Sequence, residues 1–185
     1  HSEERGISPR AQVIRRDGRT FIWSRGEELV TDRYPELVAA ADFLPEGTVL
    51  DGEIMPWKDG RPLPFAQLQR RIGRKSLGGS ILSEVPVVLV AYDLLEVGGR
   101  DVRNEPLVRR RRLLEEVVAT TRASAFVPSP TIALASWDEA RAAYARARDE
   151  CAEGLMLKRY DSVYGVGRRK GGWWKWKVQP FTVDA

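Results

Sequence analysis

The stretch EGLMLKRYDSVYGVGRRKGGWWKWKVQP, Glu153 to Pro180, decides the fold of this chain. It begins as an apolar strand, becomes a glycine-rich basic loop, and ends as a strand that alternates tryptophan with lysine. Because side chains alternate across a strand, Lys175 and Lys177 share one face, while Trp174 and Trp176 share the other. We expect the tryptophans to anchor this hairpin in the core and the lysines to present two fixed charges suited to a phosphate.

The first strand of this stretch carries a charged residue at each end. Glu153 precedes the apolar residues and Lys158 follows them. Strand parity would place the two on opposite faces, so Glu153 must lie at the irregular start of the strand if both serve one site.

Outside this stretch, strand and helix patterns alternate irregularly along the chain. Asp17-Gly18 between two β-rich runs predicts a hairpin, and VPVVLVAYDLLE predicts a central strand that ends at Gly98-Gly99. TVLDGEIMPW predicts a further strand. Ser136 as N-cap and Glu139 three residues later form a capping box, which predicts the start of a helix. The predicted elements are strands at 12–16, 19–24, 48–57 and 85–96 and helices at 35–44, 65–72, 106–119 and 137–148. This mixture favours an α+β fold with mainly antiparallel sheets flanked by helices.

Composition limits the class of protein. The 185 residues suggest one domain, and 43% hydrophobic with 30% charged residues is a globular balance. No apolar run approaches the ~18 residues of a membrane helix, and with Cys151 and His1 as the single cysteine and histidine, an internal disulfide and a His/Cys zinc site are excluded. The net charge is +4 and the pI is about 9.4, with arginine in clusters. Such clusters indicate a polyanionic partner or, alternatively, solvated helix faces.

Two strands carry polar residues whose roles stay open from their pattern alone. Asp51 and Glu53 in LDGEIM face the same side of a strand, where two carboxylates need pairing, hydration or a metal, as on the wet face of an edge strand. Tyr92 in AYDLLE is either simple packing or a flat platform for a nucleotide base.

Five motifs in this order resemble those of the nucleotidyltransferase domain of ATP-dependent DNA ligases, in particular bacterial members. They are SRGEEL, LDGEIM, AYDLLE, EGLMLK and WWKWKV, and the resemblance covers Arg10 to Ala185. It implies a ligase adenylation fold and an enzyme that uses ATP and Mg²⁺ to seal nicked double-stranded DNA. A lysine of the family takes AMP from ATP, AMP passes to the 5′-phosphate of the nick, and the 3′-hydroxyl then displaces AMP.

The resemblance also implies roles for matching residues. Lys158, Lys175 and Lys177 would contact the α-phosphate or the leaving pyrophosphate, Tyr92 would stack on adenine, and Arg10 and Arg25 would contact the nucleotide or the nick phosphate. Glu53 would hold the ribose hydroxyls, and Glu53 and Glu153 would bind the metal. We further expect sequence-independent contacts to DNA phosphates from the basic clusters Arg70, Arg71, Arg74, Lys75, Arg168, Arg169 and Lys170.

The first family motif, Lys-x-Asp-Gly-x-Arg, is not matched. In EERGISPRAQ, Glu3 stands where the lysine should be and Arg5 where the aspartate should be, and the first lysine of the chain is Lys58. We therefore expect residues 1–9 to be a tag-like or altered segment and residues 10–185 to be an adenylation core that ends before the C-terminal oligonucleotide-binding barrel of the family. We expect this chain alone to be incomplete for catalysis.

Other functions share parts of this pattern. An RNA ligase or a capping guanylyltransferase uses related motifs, and a non-catalytic DNA-binding fragment would keep only the basic surface. The resemblance implies a bacterial cytoplasmic, nucleoid-associated monomer without a membrane segment, in repair, replication or recombination of DNA.

Overall fold

The computed structural model describes residues 10–74, 76–121, 124–146, 154–165 and 172–177, with the backbone alone at 154 and 177. The strands in this part of the chain are β1 Arg10–Arg16, β2 Arg19–Ser24, β3 Thr48–Lys58, β4 Arg61–Pro62, β5 Val87–Val97, β6 Arg100–Asp101, β7 Phe126–Pro128, β8 Gly154–Lys158 and β9 Trp173–Lys177. The α-helices are α1 Pro35–Ala41, α2 Phe65–Ile72, α3 Gly79–Glu84, α4 Leu107–Thr121 and α5 Trp137–Arg146, and Thr31–Arg33 forms a 3₁₀ turn.

The main sheet is antiparallel apart from one edge. Its order is β2-β1-β3-β5-β6, with β4 paired to β3 and β7 paired in parallel to β5. Asp17 and Gly18 both have positive φ, 54° and 68°, as a two-residue hairpin turn requires. The sheet and the flanking helices confirm the α+β prediction.

The centre of the sheet is the pairing of β3 with β5, and Gly52 makes it possible. A Cβ at this position would lie 2.6 Å from the carbonyl oxygen of Val90 and 3.0 Å from the Cα of Ala91. The register of β3 and β5 also shifts on the N-terminal side of Gly52, after Asp51, so that Asp51 pairs with Asp93 while Tyr92 is left unpaired. Such a bulge re-aims the side chains beside it, and the bulge here carries two residues of the candidate site.

The second sheet is the hairpin of β8 and β9. Its register pairs Lys158 with Trp173 and Met156 with Lys175, so these four residues share one face. Trp176 lies on the opposite face, where its ring stacks on Tyr144 of α5 at a centroid distance of 4.5 Å. The predicted alternation of β9 is therefore confirmed.

The loop after β8 joins this hairpin to the main sheet. The carbonyl of Ser162 accepts from the backbone N–H of Leu107 at 2.8 Å, and the N–H of Tyr164 donates to the carbonyl of Arg103 at 2.8 Å. Arg110 of α4 is fully buried, pairs with the buried Asp93 through two hydrogen bonds, and donates to the carbonyl of Ser162 at 3.0 Å. The start of α4, the strand β5 and this loop therefore form one connected unit.

The helices predicted at 35–44 and 65–72 run over Pro35–Ala41 and Phe65–Ile72, and the one predicted at 137–148 runs over Trp137–Arg146, with 147–148 outside the described residues. The helix predicted at 106–119 runs over Leu107–Thr121, and the capping box of α5 is formed, since the N–H of Glu139 donates to Ser136 Oγ at 3.2 Å. The short α3, β4, β6 and β7 were not predicted. No helix in the described part of the chain is long and apolar enough to cross a membrane.

Candidate functional site

Asp51 is the centre of a buried polar cluster. It is 1% exposed, and its Oδ2 accepts from Arg10 Nη2 at 2.9 Å and from the hydroxyl of Tyr164 at 2.7 Å. Its Oδ1 accepts from the hydroxyl of Tyr92 at 3.4 Å. The carboxylate is thus satisfied by pairing, which is the first of the three possibilities that its place in a strand left open.

Lys158 lies between two aromatic rings next to this cluster. Its ammonium nitrogen is 4.8 Å from the ring centre of Tyr92 and 4.1 Å from that of Trp173. Both distances fall within the range of cation–π attraction. The indole N–H of Trp173 donates to Ser162 Oγ at 2.9 Å, and its ring meets Tyr164 edge-on at 5.8 Å.

The surroundings shift the pKa of Tyr92, Tyr164 and Lys158. Burial, reinforced by the charge of Asp51, raises the pKa of both Tyr92 and Tyr164. Their hydroxyls therefore stay protonated and can donate to Asp51 at neutral pH. Burial lowers the pKa of Lys158, while the nearby carboxylates of Asp93 and Asp51 oppose this shift.

A groove of about 570 Å³ lies beside Arg10 and Tyr164. Arg25 also lines it, and the backbone N–H of Arg25 donates to the carbonyl of Arg10 at 3.1 Å, so the turn after β2 stays close to β1. Arg103 lines the groove together with Asp101, and its guanidinium holds the pKa of that carboxyl at about 2. Arg10 and Arg103 are paired with Asp51 and Asp101, and Glu96 also lines the groove, so its charge is mixed, with three guanidinium groups against two lining carboxylates.

Glu53 lies two residues after Asp51 on β3 and is half-buried. Its register partner on β1 is Arg10, so the two side chains share one face of the sheet, and its charge contributes to the raised pKa of Tyr92. Within the described residues, no three or more His, Cys, Asp or Glu side chains gather in a way that could hold a metal ion. Magnesium in nucleotide sites is bound by one or two carboxylates together with phosphates, and Glu53 fits that smaller donor set.

The structure therefore brings together Arg10, Glu53, Tyr92 and Lys158, with Arg25 along the adjoining groove. Lys175 is exposed and shares the face of Lys158 in the β8–β9 register. The predicted positions outside the described residues are Glu153, Lys75, Arg168, Arg169, Lys170 and the Glu3 segment, together with the side chain of Lys177.

Two predictions need correction. Arg71 was predicted to contact DNA, but it is 1% exposed and its guanidinium binds the carboxylate of Glu36 and the carbonyls of Arg33 and Val85. It links α2 to Glu36 of α1 instead, and its charge is neutralised inside the protein. Trp174 was expected to be buried in the core, but it is 49% exposed. Trp176 fulfils the anchoring role through Tyr144.

Tyr164, Trp173 and Arg110 were missed by sequence reasoning. Tyr164 lies in a loop without periodicity, and its partner Asp51 is 113 residues away in sequence. The sequence did indicate Trp173, because strand alternation places it on the same face as Lys175. Arg110 could be inferred from helical spacing, since it follows the buried Leu107 by three residues.

Comparison with known proteins adds the family context to this geometry. A protein-family model described as ATP dependent DNA ligase domain matches residues 8–177. A probable DNA ligase of Opitutus terrae is 35% identical over 209 residues, covering 98% of this chain and 21% of the relative. A DNA ligase of Thermococcus fumicolans is 36% identical over 178 residues, covering 95% of this chain and 31% of the relative.

A solved structure supports the same assignment. Mycobacterial DNA ligase D, in a structure described as complexed with ATP and MES, superposes with a TM-score of 0.70 at 32% identity and covers 92% of this chain. The chain spans 52% of that structure and about a third or less of the curated relatives described above.

Proposed function

This chain belongs to the ATP-dependent DNA ligase family, and from that premise we propose that residues 10–185 are an adenylation core that binds ATP for the sealing of nicked DNA. The observation that carries the proposal is the placement of Lys158 against the ring of Tyr92, with Asp51 fixing the hydroxyl of Tyr92. A flat aromatic ring next to a cation suits a purine base followed by phosphates.

In this proposal, each residue of the site contacts a different part of the nucleotide. Tyr92 stacks on adenine, and Glu53 on the same face accepts hydrogen bonds from the ribose hydroxyls. Lys158 and Lys175, which share one face of the hairpin, neutralise the α-phosphate and the leaving pyrophosphate, together with Lys177 as the resemblance implies. Arg10 and Arg25 border the groove where a second phosphate, such as the 5′-phosphate of a nick, would enter.

Mg²⁺ fits the same arrangement as a cofactor that lowers the negative charge of the triphosphate. Glu53, with Glu153, would supply the protein oxygens, and phosphates would complete the coordination. The remaining chemistry is that of AMP transfer: an amine attacks the α-phosphorus, pyrophosphate leaves, and AMP passes to the 5′-phosphate before the 3′-hydroxyl displaces it. Phosphoryl-type transfer of this kind depends mainly on positioning and charge neutralisation.

The chain carries Glu3 at the position of the family's amine nucleophile. A carboxylate cannot form the phosphoramidate, so we expect this chain alone to bind ATP without becoming covalently adenylated. Intact-mass measurement after incubation with ATP and Mg²⁺ tests this expectation, and a gain of one AMP would contradict it.

ATP binding itself is tested by titration calorimetry. Loss of a base-stacking ring costs about 1–3 kcal/mol, so Tyr92→Ala should weaken ATP binding roughly fivefold to more than a hundredfold. Lys158→Ala should also weaken it, and Lys58→Ala, which removes an exposed lysine from the end of β3, is the matched control. Equal affinity for ATP in all variants, or no ATP binding by the unaltered chain, would refute the proposed site.

The proposed macromolecular partner is nicked double-stranded DNA. Arg70 and Arg74 are exposed and remain candidates for phosphate contacts, with Lys75, Arg168, Arg169 and Lys170 from the predicted clusters. The RNA ligase, capping and purely DNA-binding alternatives are not favoured, because the relatives described above are DNA ligases. We also propose a bacterial, nucleoid-associated setting, because the motifs resemble those of bacterial members of the family.

A further inference from the structure

Five side chains from β3, β5, β8, β9 and one loop form a closed ring of contacts. Asp51 accepts from Tyr92, the ring of Tyr92 faces Lys158, and Lys158 faces Trp173. Trp173 meets the edge of Tyr164, whose hydroxyl returns to Asp51 at 2.7 Å. Each member touches the next, so a displacement of one changes the position of the others.

In this ring of contacts, Trp173 is fixed by two partners, Ser162 and Tyr164, whereas the adjacent Trp174 lies outside the ring of contacts. Its indole N–H donates to Ser162 Oγ and its ring packs on Tyr164, which leaves the ring facing the ammonium of Lys158. Trp174 points to the opposite face of the hairpin and is 49% exposed. Two adjacent tryptophans therefore have different environments, and only Trp173 contacts the site among the two.

Tyr164 is held in the same ring of contacts between Trp173 and Asp51. Its hydroxyl shares Asp51 Oδ2 with Arg10, while the other oxygen of Asp51 holds Tyr92. A lysine side chain has several freely rotating bonds, so a charge that must meet a phosphate at one point benefits from rigid neighbours. Trp173 supplies such a neighbour, Tyr164 packs on Trp173, and Asp51 ties Tyr164 to the main sheet.

We propose that Tyr164 and Trp173 are positioning residues that together fix the ammonium group of Lys158 against Tyr92. This inference rests on the proposed function for its role in ATP binding, but the geometry of Lys158 can be measured without a nucleotide. Neither residue needs to touch the phosphates, since both act through Lys158.

The first test measures the accessibility of Lys158. The chain is pulse-labelled with acetic anhydride, and acetylation of Lys158 is quantified by mass spectrometry relative to the exposed Lys58. Trp173→Leu should raise the relative labelling rate of Lys158 several-fold, whereas Trp174→Leu should leave it unchanged. Equal rates in the two variants would overturn the inference.

A milder variant keeps the test valid if Trp173→Leu fails to fold. Ser162→Ala removes the partner of the indole N–H and leaves the backbone carbonyl of Ser162 in place. Trp173→Phe removes the same hydrogen bond from the other side, so the two variants should raise the labelling of Lys158 by a similar, smaller factor. Unchanged labelling in both would count against the inference.

The second test asks whether Tyr164 acts through Lys158. Tyr164→Phe removes the hydroxyl that binds Asp51, and Tyr160→Phe removes a hydroxyl from a 72% exposed side chain of the same loop. ATP affinity should fall about tenfold in Tyr164→Phe and stay unchanged in Tyr160→Phe. In a Lys158→Met background, Tyr164→Phe should have no further effect, because the group that it positions is gone.

The outcomes separate the two proposals. If the unaltered chain binds no ATP, the proposed function fails, and the labelling rates decide the inference by themselves. If the chain binds ATP and Tyr164→Phe binds it equally well, the inference is overturned while the proposed function stands. An undiminished effect of Tyr164→Phe in the Lys158→Met background would also overturn it, since Tyr164 would then act independently of Lys158.

Discussion

Replacing Arg110 with alanine should destabilise the chain more than the loss of any surface arginine. Arg110 and Asp93 are both fully buried. The guanidinium donates from Nε at 2.7 Å and from Nη2 at 3.0 Å to the two oxygens of Asp93, and it also binds the carbonyls of Glu105 and Ser162. One side chain thus satisfies a buried carboxylate and two backbone acceptors.

The magnitude follows from what Arg110→Ala leaves behind. Asp93 would remain buried with the N–H of Leu94, at 3.0 Å, as a partner but without its counter-charge. Removing one partner of a buried ion pair costs about 3–5 kcal/mol. Since a domain of this kind has about 5–15 kcal/mol of unfolding free energy in total, the loss is at least a fifth of its stability.

Equilibrium unfolding in urea, followed by circular dichroism at 222 nm, measures this loss. Arg112→Ala is the matched control, because Arg112 lies on the same helix, is 72% exposed, and pairs with the half-exposed Glu116 one turn later. Such a surface pair contributes about 0.3–0.5 kcal/mol. The two alanine variants should therefore differ by several-fold in their effect on the unfolding free energy.

A double variant separates the buried charge from the lost packing. In Asp93→Leu combined with Arg110→Met, no charge remains unpaired, and replacement of a buried pair by apolar groups is often neutral or stabilising. The double variant should therefore be more stable than Arg110→Ala. If Arg110→Ala costs no more than Arg112→Ala, or if the double variant is the least stable of the three, the assigned role of the ion pair is wrong.

Four further changes have defined expected outcomes. Gly52→Ala should lower the unfolding free energy by about 1–3 kcal/mol, because its Cβ would meet the backbone of β5, and an unchanged urea midpoint would contradict this. Trp174→Ala should cost less than the ~3–5 kcal/mol of a buried aromatic truncation in the same assay, because Trp174 is half-exposed; a larger cost would refute this placement. Lys175→Ala should weaken ATP binding in calorimetry without changing the melting temperature; the reverse result would remove it from the pocket. Arg70→Ala with Arg74→Ala should weaken binding to nicked DNA and flatten its salt dependence by up to about one charge per residue, and an unchanged salt slope would exclude them as phosphate contacts.

The sequence predicted most of the sheet because its strands carry strong local signals. The Asp17-Gly18 turn fixes the β1–β2 hairpin, and the apolar run before Asp93 is long and β-branched enough to indicate β5. The strands β6 and β7 have two and three residues, too short for any periodicity. Both strands pair with β5, which also pairs with β3. Their pairing therefore depends on the assembled sheet and not on a local sequence pattern.

The motif residues of the candidate site could be predicted from the sequence, but the hydrogen bonds that join them to other segments could not. Tyr92 and Lys158 were identified from the ordered motifs, and in the structure Lys158 Nζ lies 4.8 Å from the centre of the Tyr92 ring. The Asp51–Tyr164 hydrogen bond joins residues 113 positions apart, and no local pattern in either segment indicates the other. The bulge at Tyr92 also could not be anticipated, because it depends on how β5 pairs with β3.

The arginine clusters show why composition alone misjudges function. As clusters in the sequence, 70–75 and 109–112 are compatible with a polyanionic partner or with solvated helix faces. Read by helical position, each contains one arginine on the inner face: Arg71 follows the buried Leu68 by three residues, and Arg110 follows Leu107 by the same step. These two arginines are consumed by Glu36 and Asp93, and Arg110 thereby holds the loop that carries Tyr164. Part of the positive charge of this chain therefore serves to build the candidate nucleotide site, and only the outward-facing arginines remain available to DNA.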